Sequence, residues 1–533
     1  MAERLSSALS ALARAGSLES RAQTVLFWTI TLIYSGCFLF VSMPPLVDYP
    51  QHLALATLLG KLFDANAVEH ATYQADFLTY NGLFHMLVAL GSRVLPPEWA
   101  GRLVLALIPP LLASAALALM RHARRPSWYA FLLLPMSYSY AVGWGFVNYC
   151  LAVPLALLTW VAWSRFVEGR SERAWPPAGL ALLVAYAHGL TTLALFASAA
   201  VGFVFQASVA ELGWKPWFAK LGRALLPLVP AAMYTALVFL HHIQAPHIGW
   251  EPEHEGDDLP AWRKLAELPW LCQGNLADTS DTWIFVGLAL VLVSTCLLAY
   301  VRVDDSPKPP RACRALFVFW LAAYVVLPQR LFSTGFVFER LPVWIWAFAL
   351  ASAPRPGPRA LVVLRWAASA LTVLGSLNTA RAFASLRDAQ DASVVIDAIP
   401  DGSRVVALTY EARSLPAVRR PIFIHASAYY LVRKRGQIAY DFTRFASLPL
   451  RARDFETRPR LTAGLEWNPK GFDPSAAYAR YYDTLLVVSE ENASVDTSSL
   501  VEAGYQLTRV TEQGRFHLYR REPRQQASAL ELP

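Results

Sequence analysis

Apolar residues in this chain gather in long unbroken runs, not at the spacings that mark one face of a soluble helix or strand. The first run, Thr24–Met43, is uncharged and about twenty residues long, the length an α-helix needs to cross a bilayer. Comparable runs follow at 100–120, 127–144, 150–165, 224–241, 282–301, 315–328, 341–353 and 360–377, with a tight pair at 176–208 that meets at His188-Gly189. Together they predict about eleven transmembrane helices. Two weaker stretches are too short to span. Gln51–Leu62, with apolar Leu53, Leu55, Leu58, Leu59 and Leu62, reads as a helix lying along the membrane surface, as does Gly82–Leu95, which ends at Pro96-Pro97.

From about residue 380 the pattern changes. A helix-like segment, Arg381–Ile399, precedes a strand at Arg404–Thr409, an apolar run at Pro421–His425 that reads as a second strand, and Leu485–Val488, a continuous apolar run of the kind buried in sheets. Tyr505–Thr511 and Arg515–Arg520 flank Glu512-Gln513-Gly514 and predict a hairpin. The predicted fold class is therefore an α-helical polytopic membrane protein with a C-terminal extracytoplasmic α/β domain. Its expected divisions are a cytoplasmic segment 1–23, a membrane domain 24–379, the α/β domain 380–523 and a disordered tail 524–533.

Composition agrees. Of 533 residues, 55% are hydrophobic and only 16% charged, against about 25% charged in a soluble domain. The formal net charge of +8 invites a nucleic-acid partner. Its lysines and arginines, however, sit at the ends of apolar runs, at 121–125, 165–173, 215–223, 302–314 and 355–365, which is the pattern of membrane topology and not of a binding stripe. Every basic loop falls on one side if the N-terminus is inside and the C-terminal domain outside. The expected location is a bacterial inner membrane, with a periplasmic C-terminal domain. Five widely spaced cysteines form no CxxC or zinc pattern, so no disulfide framework is predicted. No small-residue cleavage site follows the first run, which reads as an uncleaved anchor.

The candidate chemistry starts where the first run ends, at Pro44-Pro45-Leu46-Val47-Asp48-Tyr49-Pro50-Gln51-His52. The paired prolines stop the helix, and Asp48 is the first acidic group beyond it. A first transmembrane helix, then an acidic motif, then surface-lying helices resembles the arrangement of the GT-C glycosyltransferases. These membrane enzymes take a sugar from a polyprenyl-phosphate carrier on the outer side of the membrane. The resemblance implies that Asp48 is the general base or a metal ligand. His52, one helical turn later, is a candidate for orienting the acceptor or sharing the base role, and Tyr49 and Gln51 are candidates for substrate binding. The resemblance also implies an arginine on the carrier phosphate from a late external loop. Arg330 and Arg340, at the two ends of Leu331–Glu339, are the candidates, because guanidinium pairs bidentately with phosphate oxygens.

The family's second external carboxylate is missing, since the corresponding loop reads Trp144-Gly145-Phe146-Val147-Asn148-Tyr149. Asn148 is then a candidate for sugar hydroxyls and Trp144 for ring stacking, although an aromatic belt explains Trp144 equally well. His188 is included as a substrate-side candidate beside a plain buried role. His241, His242, His247, His254, Glu251 and Glu253 match no zinc spacing. No cofactor is expected, and a divalent metal stays open without support. The partners expected are membrane lipid, a polyprenyl-phosphate sugar donor and a glycan, lipid or protein acceptor. His425-Ala-Ser-Ala-Tyr429-Tyr430 and Arg433-Lys434-Arg435 receive no chemical role.

Two other classes fit the same runs: a transporter or flippase of lipid-linked saccharide, and a catalytically silent assembly scaffold of GT-C shape. Transporters carry charges within spans and internal repeats, and neither is visible here. The charge pattern makes one test immediate. A phosphatase fused at Pro533 is expected to be active and a cytoplasmic reporter there silent; the reverse pair of results overturns the orientation.

Overall fold

The structure, a computed structural model, describes the chain apart from residues 1–20, 207–212, 244–258, 301–308, 332–333, 356–357, 387, 414–416, 446, 454–456, 460, 462–463, 491–497, 503 and 524–533. The head, the tail and His247, His254, Glu251 and Glu253 of the acidic loop lie outside the described residues. Among those described, six helices are long and apolar enough to cross a membrane. They are α1 (Arg21–Leu39), α4 (Pro97–His122), α5 (Val147–Val167), α7 (Gly189–Gln206), α8 (Trp214–His242) and α10 (Ser280–Ala299). Between and after them come α2 (Tyr49–Lys61), α3 (Leu83–Gly91), α6 (Trp175–Ala187), α9 (Ala261–Gln273), α11 (Arg311–Val326), α12 (Pro342–Ser352), α13 (Pro358–Ala384), α14 (Asp388–Asp397) and α15 (Ala428–Arg433).

Two expectations fail instructively. At 127–144 there is no α-helical span. A 3-10 run, Ser127–Tyr138, is followed by a single turn, Tyr140–Gly143. Pro135 removes a backbone donor within it. A 3-10 run rises about 2.0 Å per residue against about 1.5 Å in an α-helix, so the same residues travel further. Second, α2 does not lie on a lipid surface. Every residue from Tyr49 to Gly60 is buried. Pro50 sits in its first turn, where the missing N–H would be unpaired anyway. Helix α3 covers one side and α15, from the C-terminal region, another. The approach to α3 is close, since a Cβ on Gly60 would lie 3.2 Å from the Ala89 carbonyl oxygen. With leucines on several faces, α2 behaves as a helix apolar all round, which belongs in a core. Burying Leu53, Leu55, Leu58 and Leu59 contributes about 1.5–3 kcal/mol each.

The C-terminal region is a five-stranded mixed sheet in the order β3-β2-β5-β7-β6. Its strands are β2 (Arg404–Thr409), β3 (Gln437–Ile438), β5 (Thr484–Val488), β6 (Tyr505–Gln513) and β7 (Phe516–Pro523). β2 runs parallel to both β3 and β5, and the predicted hairpin is β6–β7. Alternation assigns its two faces. Val405, Ala407, Leu486 and Val488 join the large core, while Val406, Leu408, Leu485 and Val487 form a second cluster on the far side. The large core runs without interruption from Phe27 through α2 to Phe516. The expected strand at Pro421–His425 is instead a series of turns leading into α15.

Polar ties stitch the two halves together. β1 (Tyr73–Ala75), from the membrane half, pairs antiparallel with β4 (Leu450–Ala452). Arg433 donates to Glu98 at 2.8 Å, and Arg420 donates to the Gly274 carbonyl at 2.8 Å while lying over the Tyr140 ring at 4.0 Å.

Candidate active site at the start of α2

Asp48 occupies the position before the first turn of α2, yet its side chain caps no helix N–H. Its backbone is fixed instead. Val47 N–H donates to the Gly143 carbonyl at 3.1 Å and Asp48 N–H to the Trp144 carbonyl at 3.0 Å. This lays the acidic loop directly on the loop after Tyr140–Gly143. Gly145 makes the approach possible, with φ +80° and a hypothetical Cβ only 2.7 Å from Asp48 N.

The freed carboxylate reaches the C-terminal region. Asp48 Oδ1 lies 3.3 Å from His425 Nε2, and the other ring nitrogen, Nδ1, lies 2.9 Å from Glu466 Oε1. Burial alone would push the imidazolium down, but Glu466 and Asp48 outweigh it and lift His425 to about 10. Gln51, one turn into α2, behaves like a piece of backbone: its amide donates to the Tyr440 carbonyl at 2.6 Å and accepts from Phe442 N–H at 3.3 Å.

His52 points to a second histidine. His85 Nδ1 donates to the Asn81 carbonyl at 2.8 Å, which leaves Nε2 as an acceptor for His52 Nδ1–H at 3.1 Å. His52 Nε2 thereby keeps a bare lone pair. Burial lowers both rings, His85 to about 4 and His52 well below its ordinary value, the latter also because the cations His425 and Arg340 stand nearby. Both are neutral at neutral pH.

Arg340 comes in from the 3-10 turn Phe338–Arg340. Its guanidinium lies 4.1 Å from the Phe146 ring centroid, and Nη1 is 3.5 Å from His188 Nε2. Thr191 N–H donates to His188 Nδ1 at 3.3 Å, so the proton sits on Nε2 and the contact with Arg340 is donor against donor. Arg340 Nε is buried with no hydrogen-bond partner, and no described carboxylate forms an ion pair with the guanidinium. Burial draws it below its ordinary value, while Tyr149 and Asp48 favour its charge; an arginine stays cationic regardless. Asp48 and Arg340 thus share one electrostatic neighbourhood. Next to it, Glu339 is buried and pushed up to about 7 by that burial.

The predicted residues divide. Arg340 links Asp48, His52 and His188, since its charge is felt at each of them. Arg330 is exposed. Tyr49 is fully buried against Phe84, so it packs and does not line an open site. Gln51 is consumed in joining the two halves. Asn148 Oδ1 accepts from Phe84 N–H at 2.9 Å at the start of α3, which makes it a helix-end partner and not a free sugar ligand. Trp144 stands in an aromatic wall, 4.9 Å from Phe336 and 6.3 Å from Trp467 between ring centroids. His425, Glu466 and His85 were not among the candidates. His425 belonged to a noted motif, but Gln51 and His425 are separated by 374 positions, and no spacing rule joins them.

The helical membrane half, an acidic loop after its first helix and C-terminal residues seated against that loop and α2 belong to a membrane protein of ArnT-like fold. Two solved structures share the fold. ArnT from Cupriavidus metallidurans bound to undecaprenyl phosphate superposes with a TM-score of 0.55 at 11% identity, covering 94% of this chain and 98% of that one. The same protein in the apo state gives 0.54 at 11% identity, covering 93% and 97%. No family model matches the chain, and no curated protein matches it by sequence.

The close loop contact is testable. Gly145→Ala meets both an unfavourable φ and the Asp48 backbone, whereas Gly169→Ala, at φ +77° with nothing within 4 Å, meets only the first. Gly145→Ala is expected to cost more than about 1 kcal/mol and to lower the melting temperature in detergent further than Gly169→Ala does. Equal losses would remove the loop contact as a constraint.

Proposed function

We propose that this protein transfers a sugar from a polyprenyl-phosphate carrier to a cell-envelope acceptor on the external face of the inner membrane. The observation that carries the reading is Arg340, a cation with a buried Nε and, among the described residues, no hydrogen-bond partner for that Nε and no ion-pair partner, close enough to Asp48 for their charges to interact. A lone guanidinium awaiting an anion and a carboxylate with a free oxygen are the two groups that glycosyl transfer from a lipid phosphate requires. ArnT, whose fold this is, was solved with undecaprenyl phosphate bound, which supports a carrier of that class here.

In this mechanism the acceptor hydroxyl oxygen bonds to the anomeric carbon as the bond from that carbon to the carrier phosphate breaks. The electron pair leaves with the phosphate, where Arg340 stabilises the added charge. The hydroxyl proton passes to Asp48. Its Oδ1 is held by His425, so Oδ2 is the accepting atom. The aromatic wall of Trp144, Phe336 and Trp467 offers faces on which a sugar ring stacks. His52, neutral and with Nε2 free, orients the acceptor.

Two variants separate the roles. Asp48→Asn is expected to lower turnover by about two to four decades while undecaprenyl phosphate binding, read by native mass spectrometry, stays within twofold of the parent. Arg340→Gln is expected to weaken that binding at least about tenfold, as loss of a charge-assisted contact implies. A well-folded Asp48→Asn protein turning over at the parent rate would leave the transporter or the silent scaffold as the better account.

A further inference from the structure

We infer that His425, carried by the C-terminal α/β region, is the positioning residue for Asp48, and that Glu466 is the group that keeps it in that role. The inference rests on Asp48 being the base. It starts from hydrogen stoichiometry. Each ring nitrogen of His425 faces a carboxylate oxygen, Asp48 Oδ1 at 3.3 Å and Glu466 Oε1 at 2.9 Å. A carboxylate only accepts, so both nitrogens must carry hydrogens. His425 is an imidazolium with no lone pair to offer. It cannot relay a proton as the histidine of a hydrolase triad does.

What it can do is hold. The side chain is 4% exposed, and Phe442 packs edge-on against the ring at 5.3 Å. Asp48 is 19% exposed, and no described residue bonds to its Oδ2. One carboxylate oxygen is therefore pinned, and the other is unbonded among the described residues. Glu466 sits on a tight turn closed by the Trp467 and Asn468 amides on the Gly464 carbonyl, with Gly464 at φ +71°. That turn is part of the C-terminal region, so the orientation of the base is set by a segment seated from outside the membrane half.

The charged and titratable groups around His425 are Asp48 and His52 on α2, Glu466 on its turn, and Tyr440 with Arg444 beside Glu466. Glu466 is the strongest of those favouring the charged ring. Neutralising it leaves burial, which opposes the charge, set against Asp48 alone. The His425 titration must then move down, and the clamp must release as pH rises through the new value.

Glu466→Gln keeps an acceptor for Nδ1–H while removing the charge. His425 protonation is read residue by residue from C2-hydrogen exchange in mass spectrometry. Turnover is read as undecaprenyl phosphate released from donor lipid extracted from the source membranes. In the full-length parent, His425 is expected not to titrate between about pH 6 and 9, roughly the window around an ordinary histidine. In Glu466→Gln it is expected to titrate there, with turnover falling over the same interval as pH rises. His425→Gln is expected to lose on the order of tenfold to hundredfold in turnover at every pH, with undecaprenyl phosphate binding unchanged within twofold. A Glu466→Gln profile parallel to the parent's overturns the inference, as does parent turnover in His425→Gln. Parent turnover in Asp48→Asn would sink the assignment of the base itself; a dead Asp48→Asn beside a parallel Glu466→Gln profile would sink the His425 inference alone.

Discussion

Helix α2 is the constraint on which the rest of the structure depends. It is buried on all sides from Tyr49 to Gly60, and no single half of the protein buries it. Helices α3 and α4 cover it from the membrane half, and α15 with the 3-10 turn Phe442–Arg444 covers it from the C-terminal region. Removing either cover would expose leucines whose burial is worth about 1.5–3 kcal/mol each. The two halves are therefore held by a shared core and not only by surface contacts. The first residue before that helix, Asp48, inherits a position fixed from both directions.

Polar groups on α2 follow from the same burial. A buried amide or imidazole must find partners or pay a desolvation cost of about 1–3 kcal/mol. Gln51 solves this by bonding to the backbone at 440–442, and His52 by bonding to His85. Each solution also orders the site. Gln51 fixes the register of α2 against the segment that carries Phe442, whose ring packs against both His52 and His425. The chain Asn81–His85–His52 sets one tautomer of each ring.

Much of this was legible in the residues. The apolar runs, the change of pattern near 380, the buried strand at Leu485–Val488 and the terminal hairpin all rest on local periodicity, which sequence displays directly. Asp48 was legible because it follows a span and two prolines. Burial of α2 was not, because a leucine-rich helix of thirteen residues looks the same whether lipid or protein covers it. Nor was the 3-10 run at Ser127–Tyr138, where composition marks a span but not its pitch. His425 and Glu466 were out of reach for a different reason. Their partner lies across a tertiary interface between the two halves, and an apolar stretch such as Pro421–His425 reads as a strand until its neighbours show that it turns.

The charges at the site form a balanced set. Asp48 and Glu466 are negative, His425 and Arg340 positive, and burial keeps His52 and His85 neutral. His425 is committed to both carboxylates, so its charge is spent locally. Among the described residues Arg340 has no ion-pair partner, and its attraction to Asp48 acts at longer range. In the proposed reaction, negative charge moves from Asp48, as it takes the proton, to the departing phosphate. An unpaired cation close to both can follow that shift without moving, since the field it exerts on Asp48 before reaction acts on the phosphate after it. Had a carboxylate been paired to Arg340, that field would be cancelled before the phosphate arrived. Had His52 been charged, a third cation would have been added to a site that already holds His425 and Arg340. Burial of two histidines and isolation of one arginine are thus parts of a single arrangement, set by the same packing that encloses α2.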